Sequence, residues 1–273
     1  MKIVTFWGGL GNQIIEFAYY EWLKEKCQKD KIYGFYPKAG LKSHNGLEIE
    51  KRFDVVLPPK SLLTNIWGYS LFYLDKILIR MGLPQFFTCT LKHFNIKKTF
   101  HCDFFQDINY MPKNFCINFK HIKLNDKNKD LLELLGRENS VAVHVRRGDY
   151  LNPNTLGLYG GICTDNYYNK SIDIICKKVN NPHFVFFSND PAYCKNTYRF
   201  DNMTVVDWNT GEDSFIDMYL MAHCKYMILA NSTFSYWAAR LNKHVQKVIC
   251  PIRWCNEVPG PNLTLPDWVE VEP

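Results

Sequence analysis

The second half of the chain alternates between two periodicities. SVAVHV (140–145), HFVFFS (183–188), MTVV (203–206), YMILA (226–230) and KVIC (247–250) are short, nearly unbroken runs of β-branched, aromatic and other apolar residues. Such runs suit strands of a parallel sheet covered on both faces. Between most of them the apolar positions recur at helical spacing: Thr164 to Val179 with Thr164 as N-cap, Asp213 to Cys224 behind an acidic first turn, and Thr233 to Asn242. The alternation predicts an α/β chain with a doubly wound parallel sheet.

The first half is less regular. IVTFW (3–7) reads as a buried strand, and Ile14, Ile15, Ala18, Tyr19, Trp22 and Leu23 fall at helical spacing after it. Beyond residue 36, PKAGLKSHNG (37–46) is turn-rich, 62–82 suits an amphipathic helix pair, and HCDFFQDINYMPKNF (101–115) is irregular. The aromatic-rich stretch 62–87 suits an acceptor groove, a membrane surface or core packing, the last being the simplest reading. No repeat or low-complexity tract interrupts the chain. Its 273 residues exceed the usual size of one core, which predicts one large unit or two domains around a cleft. The boundary is drawn at 136/137, with the last residues packing back on the N-terminal domain as a variant.

Polar residues cluster where strands end. HVRRGDY (144–150), SND (188–190), DWNTGED (207–213) and NSTFS (231–235) each follow an apolar run. In an open parallel sheet those carboxyl ends are where ligands bind. GGLGNQ (8–13), between the first strand and the first helix, would face them from the N-terminal domain. Glycines at a strand-to-helix turn let the backbone approach an anion at the helix N-terminus.

The chemistry of these clusters suits a phosphate. Guanidinium recognises phosphate bidentately and stays charged. Adjacent residues leaving a strand point to opposite sides, so of Arg146 and Arg147 one faces the ligand and the other anchors the loop. Positions 144 and 146 share a face, which puts His144 with Arg146 and turns Arg147 away, although Arg147 is still counted with Asp190 among the residues expected to bind the donor. An ion pair of either arginine with Asp149 is an equally good reading. Ser232 and Thr233 offer a phosphate seat at a helix start, or an ordinary N-cap. Asp217 suits paired N–H donors such as those of guanine, or solvent; Asp190 suits the site or a turn.

Familiar phosphate and metal devices are missing. GGLGNQII has Ile14 where G-x-G-x-x-G needs its third glycine; G-x-x-x-x-G-K-[ST], H-x-x-x-H and D-x-D do not occur. Arginines and helix termini would have to neutralise a diphosphate without a metal.

Composition narrows the class further. A 47% hydrophobic content supports a packed core, and a formal charge of +6 suits anionic ligands or an anionic membrane surface. The basic stretches 24–31 and 120–130 are interspersed with acids and read as solvated faces rather than a nucleic-acid patch. Ten cysteines without a C-x-x-C pair suit a reduced compartment, with Cys27, Cys176 and Cys224 acting as small hydrophobes. Only five residues separate Lys2 from the glycines, too few for a signal peptide, and no uncharged run nears the ~18 residues of a membrane span. A cytoplasmic protein is expected, with peripheral association at the inner face of the membrane as a variant.

HVRRGDY, YGGICTDNYY, NTGEDSFIDMYLMAHC and NSTFSYWAARLN, with the early GGLGNQ, resemble the bacterial α-1,2-fucosyltransferases. The H-x-R-R-x-D core is shared with α-1,6- and protein O-fucosyltransferases. The likeness is dense over 141–254 and thin over about 35–135. It implies a GT-B fold of two Rossmann-like domains facing across a cleft and an inverting, metal-independent transfer without a cofactor. The co-substrate would be GDP-β-L-fucose and the product an α-1,2 link to the galactose of a glycan. Carried over by motif, Arg146 would bind the diphosphate and stabilise departing GDP, with His144 beside the nucleotide. Asp217 would receive guanine N–H groups, and Ser232, Thr233 and Phe234 would hold the β-phosphate side. Gly11 and Asn12 would border the cleft. The family's motifs do not settle the base; Asp149 is ranked ahead of Glu16. The alternatives are another GDP-sugar transferase of the same architecture, a glycoside hydrolase, which needs two carboxylates across a sugar rather than an arginine pair, and a sugar-binding module.

Overall fold

The computed structural model describes every residue except 43 and 44, so that part of the turn-rich 37–46 segment lies outside the described residues. The chain forms two compact units, Met1–Lys120 and His121–Pro273.

The first unit is built on a four-stranded parallel sheet of β1 (Lys2–Thr5), β2 (Ile32–Phe35), β3 (Thr88–Cys89) and β4 (Phe100–His101), in the order β2-β1-β4-β3. The helix Leu10–Lys26 makes the crossover from β1 to β2. Ile3, Phe35 and Phe100, one from each of three adjacent strands, are fully buried together under Leu71 and Phe72. Among Gly8, Gly9 and Gly11, Gly8 takes a positive φ, +70°, while Gly9 is an extended N-cap and Gly11 lies inside the helix. Gln13, fully buried, fastens this turn: its amide donates to the Gly8 and Gly46 carbonyls at 2.9 and 2.8 Å, and its Oε1 accepts from the Glu48 and Ile49 amides.

Residues 62–82 differ from the expected helix pair: Leu62–Arg80 is one helix. Ser61 caps it by accepting from the Thr64 amide at 3.1 Å, and Thr64 returns the bond to the Ser61 amide at 2.9 Å. Gly82, φ +70°, ends it with Leu83 N–H donating to the Leu78 carbonyl at 2.9 Å. Irregular 101–115 contains His101 of β4 and the short 3₁₀ turn Ile108–Tyr110.

The second unit is a six-stranded, wholly parallel sheet of β5 (Asn139–Val145), β6 (Pro182–Ser188), β7 (Met203–Val206), β8 (Tyr226–Ile228), β9 (Lys247–Pro251) and β10 (Val269–Val271). Its order, β7-β6-β5-β8-β9-β10, starts at a central strand, runs outward one way, and returns to run outward the other. That is the doubly wound order of dinucleotide-binding folds, with the switch point between β5 and β8. Val141, Val143 and Val145 share one face of β5 and pack with Tyr167, Tyr168 and Ile172 of the helix Asp165–Cys176. Thr164 caps that helix, accepting from the Tyr167 amide at 3.3 Å.

Several boundaries move. The division falls at 120/121 rather than 136/137, because the helix Asp126–Arg137 belongs to the second unit: Ser140 Oγ at the start of β5 donates to the Leu135 carbonyl at 2.9 Å. Near the C-terminus, β10 pairs with β9 and so belongs to the sheet of the second unit. The stretch 213–224 is a 3₁₀ turn, Gly211–Ser214, followed by a shorter helix, Phe215–Met221. All ten cysteines are free thiols, and Cys176 is exposed rather than packed.

Candidate functional site

The polar loops after β5, β6, β7 and β8 all leave the carboxyl edge of the second sheet, because every pairing in it is parallel. The loop after β5 lies at the switch point, and the helix Thr233–Leu241 begins just after β8, its immediate neighbour.

Strand alternation sorts the two arginines. Arg147 turns to the face of the valine cluster: its guanidinium lies 3.6 Å over the ring of Tyr193, which packs against that cluster, and its Nε donates to Asp190 Oδ2 at 3.2 Å. Asp190 is also the N-cap of the helix Pro191–Thr197, accepting from the Tyr193 amide at 3.1 Å. Arg147 and Asp190 therefore hold each other and fasten the β5 and β6 loops together. Asn189 adds to the clasp by accepting from the Arg147 amide at 2.9 Å.

Arg146 goes the other way. Its Nη2 donates to Asp149 Oδ2 at 2.9 Å, and Nε lies 2.8 Å from Oδ1 without the alignment of a hydrogen bond. The guanidinium also lies 5.6 Å over the ring of Tyr150, which stacks on Tyr159 and donates to the Asn231 carbonyl at 3.0 Å. The ion pair weighed from the sequence thus forms at Arg146. Both side chains stay partly exposed, which leaves guanidinium N–H groups free to meet an anion.

His144 shares Arg146's side of the strand. Its ring lies 5.9 Å from that of Phe234 in the first turn of the helix Thr233–Leu241. Burial, helped by the positive charge of Arg146, pushes its pKa down to about 3, so the imidazole is neutral at physiological pH. Its Nδ1 is buried without a hydrogen-bond partner. A neutral imidazole can offer that nitrogen to a ligand as donor or acceptor according to tautomer. Ser232 caps the helix, accepting from the Phe234 amide at 3.3 Å, and Thr233 is its half-buried first residue.

Asp217, in the first turn of Phe215–Met221, is half-buried. Desolvation pushes its pKa up to about 7, against the pull of Asn209, whose amide donates to Oδ1 at 2.8 Å. Asn209 is held in turn by Asn128, which donates to its Oδ1 at 2.8 Å, while Trp208 Nε1 donates to Asn128 Oδ1 at 2.7 Å. Sequence reasoning did not single out Asn209, Asn128, Asn189 or Tyr193. Asn209 and Asn189 lie inside polar loops that were noted; nothing local marks Asn128, 81 residues from its partner.

Gly11, Asn12 and Glu16 belong to the first unit. Asn12 accepts from Gln106 Nε2 at 3.0 Å, and Gly11 lies in the first turn of Leu10–Lys26, whose Gly9 cap leaves the first amides without a side-chain acceptor. Glu16 is fully buried and accepts the Trp7 amide at 3.0 Å; burial raises its pKa well above the usual range. Of the two carboxylates considered as base, Asp149 is the one open to solvent. Among the described residues no group of three His, Cys, Asp or Glu could hold a metal ion, and no helix is long and apolar enough to cross a membrane.

Known proteins resemble this chain to different extents. An α-1,2-colitosyltransferase of Escherichia coli is 39% identical over 143 residues, which span 50% of this chain and 48% of that protein. The O-antigen biosynthesis glycosyltransferase WbnK of Escherichia coli is 27% identical over 97% of this chain and 98% of its own. Galactoside α-(1,2)-fucosyltransferase 2 of Rattus norvegicus is 34% identical over 106 residues, 37% of this chain and 29% of its own. The chain therefore spans about half the length of the first of these relatives and less of the third. The crystal structure of NodZ α-1,6-fucosyltransferase soaked with GDP-fucose superposes with a TM-score of 0.50 at 15% identity, covering 97% of this chain and 98% of that one. At that identity the likeness speaks for the fold, a GT-B fold with two Rossmann-like units. Glycosyl transferase family 11 matches residues 70–272. With well over half of its length matched, including all four loops at the carboxyl edge of the second sheet, the chain belongs to glycosyltransferase family 11.

Proposed function

We propose that the protein transfers L-fucose from GDP-β-L-fucose to the 2-hydroxyl of a terminal galactose in a glycan, with inversion and without a metal. One observation carries this reading: Arg146 stands at the switch point of the second sheet, on the same side of its strand as His144 and Phe234, with N–H groups to spare. Rupture of the glycosidic bond leaves an oxocarbenium-like sugar and a diphosphate that gains charge. Fixed positive charge aimed at that diphosphate lowers the barrier most. Arg146 would supply it, with the amides at the start of Thr233–Leu241 completing the seat. Asp217 would accept the two guanine N–H groups, held in line by Asn209. Asp149 would take the proton of the acceptor hydroxyl, while Arg147 and Asp190 keep the loops in register beneath.

The 39% identity to a colitosyltransferase favours a second donor. Colitose is L-fucose without its 3-hydroxyl, so the two donors differ by one polar group in the sugar pocket. Purified protein given a β-galactoside acceptor and either GDP-fucose or GDP-colitose should release GDP with one far faster than the other, and linkage analysis should find an α-1,2 product. No GDP release with either donor would leave a transferase of another GDP-sugar or a sugar-binding protein.

GDP should also raise the melting temperature with EDTA present, because on this reading arginine and helix termini would neutralise the diphosphate without a metal. At 100 times Kd the stabilisation expected from mass action is about 2.7 kcal/mol. A shift that appears only with Mn²⁺ or Mg²⁺ would overturn the metal-free site.

A further inference from the structure

The helix Leu62–Arg80 is apolar nearly all round but buried on one narrow stripe. Thr64, Gly68 and Asp75 are buried and Leu71 and Phe72 half-buried, all at helical spacing; Phe35 lies so close to Gly68 that a Cβ there would fall 2.5 Å from the ring. The remaining circumference is open. Leu62 is 77% exposed, Trp67 56% and Tyr73 58%, and the apolar surface continues through Ile77 and Ile79 to Met81, Phe86 and Phe87 beyond the helix. An apolar helix of this kind is ordinarily covered, and a contiguous exposed patch marks an interaction surface.

Charge identifies the cover. Residues 55–102 contain Lys60, Lys76, Arg80, Lys92, Lys97 and Lys98 against a single acid, Asp75, so that this segment carries a net +5 of the chain's +6. Asp75 does not offset them at the surface, since it is buried and accepts from Thr88 Oγ1. Lys76 runs its stem along the patch, with Nζ 4.4 Å over the Phe72 ring, the posture of a lysine that buries methylenes and keeps its head in a polar layer. Exposed Trp and Tyr beside Lys and Arg, without acids, match the boundary between headgroups and acyl chains. A second copy of the chain fits less well: under two-fold symmetry the basic rim would face itself. Spanning is excluded for this helix by its hydropathy.

We propose that Leu62–Arg80 and the turn to Phe87 lie flat on an anionic lipid surface, holding the first unit to a membrane as a monotopic anchor. The full chain should cosediment with phosphatidylcholine vesicles containing phosphatidylglycerol, far less with phosphatidylcholine alone, and less again at high salt. Trp emission should shift to the blue on anionic vesicles, and the shift should shrink in Trp67→Phe. The triple variant Ile66→Gln/Trp67→Gln/Ile77→Gln should lose vesicle binding while keeping its melting temperature and GDP affinity, because these side chains point away from the core. Lys76→Gln and Arg80→Gln should each lower partitioning about fivefold. Binding is read without donor or acceptor, so the outcome does not depend on which sugar is transferred. Three results would overturn the anchor: no cosedimentation with anionic vesicles at low salt, equal cosedimentation of the triple variant, or a dimer in ultracentrifugation that the triple variant dissolves while wild type ignores vesicles.

Discussion

Arg146→Ala should lower kcat by on the order of 10²-fold or more while moving KM comparatively little, by analogy with removal of one preorganised donor from an active site. The leaving diphosphate gains charge as the glycosidic bond breaks, so the interaction strengthens between ground state and transition state. Arg146→Lys should also be poor, since an ammonium ion cannot make the bidentate contact. Arg147→Ala should behave differently. Its guanidinium stacks on Tyr193 and bonds Asp190, so its loss should lower the melting temperature and leave a larger share of kcat. Measuring kcat, KM and melting temperature for the three variants decides the matter. A nearly active Arg146→Ala, or an Arg147→Ala that is folded and dead, would reverse the assignment.

GDP affinity should fall as pH drops below about 7, and Asp217 should be the cause. Burial sets its pKa near 7, and only the ionised carboxylate accepts both guanine N–H groups. In the free protein the competent form is lost tenfold per pH unit below that value, so Kd for GDP should rise about tenfold per unit there, whereas Kd for UDP should stay flat. Asp217→Ala should weaken GDP on the order of 10²-fold, the loss of two charge-assisted hydrogen bonds, and Asn209→Ala about tenfold. Stability runs the opposite way with pH. The folded-state pKa of Asp217 lies above its unfolded value, so its contribution is fully present below the unfolded pKa near 4 and is lost as pH rises through about 7. Asp217→Asn should therefore raise the melting temperature more at pH 8 than at pH 5. Isothermal titration of GDP and UDP across pH 5.5–8.5 tests the affinity limb; a pH-independent Kd would remove Asp217 from the guanine site.

What was legible from the residues alone was whatever depends on local periodicity. Buried parallel strands must be apolar on both faces, so β5, β6, β7 and β9 announced themselves almost to the residue. Thr164 could be named as a cap because capping needs only a hydroxyl and the three residues that follow. The opposite directions of Arg146 and Arg147 followed from pleating, but an ion pair with Asp149 was open to either arginine, and the structure gives it to Arg146. Tertiary structure decided the rest. β3 and β4 are two residues each and exist as strands only because β1 supplies a ladder to β4 and β4 in turn supplies one to β3. Asp190 became the partner of Arg147, and Asn128 the prop of Asn209, because the fold brings together segments 43 and 81 residues apart. Composition showed that 62–80 is apolar, but whether that surface faces a core or the outside is a property of what packs against it. Only the fold shows that Phe35 and its neighbours cover a single stripe, since periodicity records which faces could be buried and tertiary contacts record which ones are.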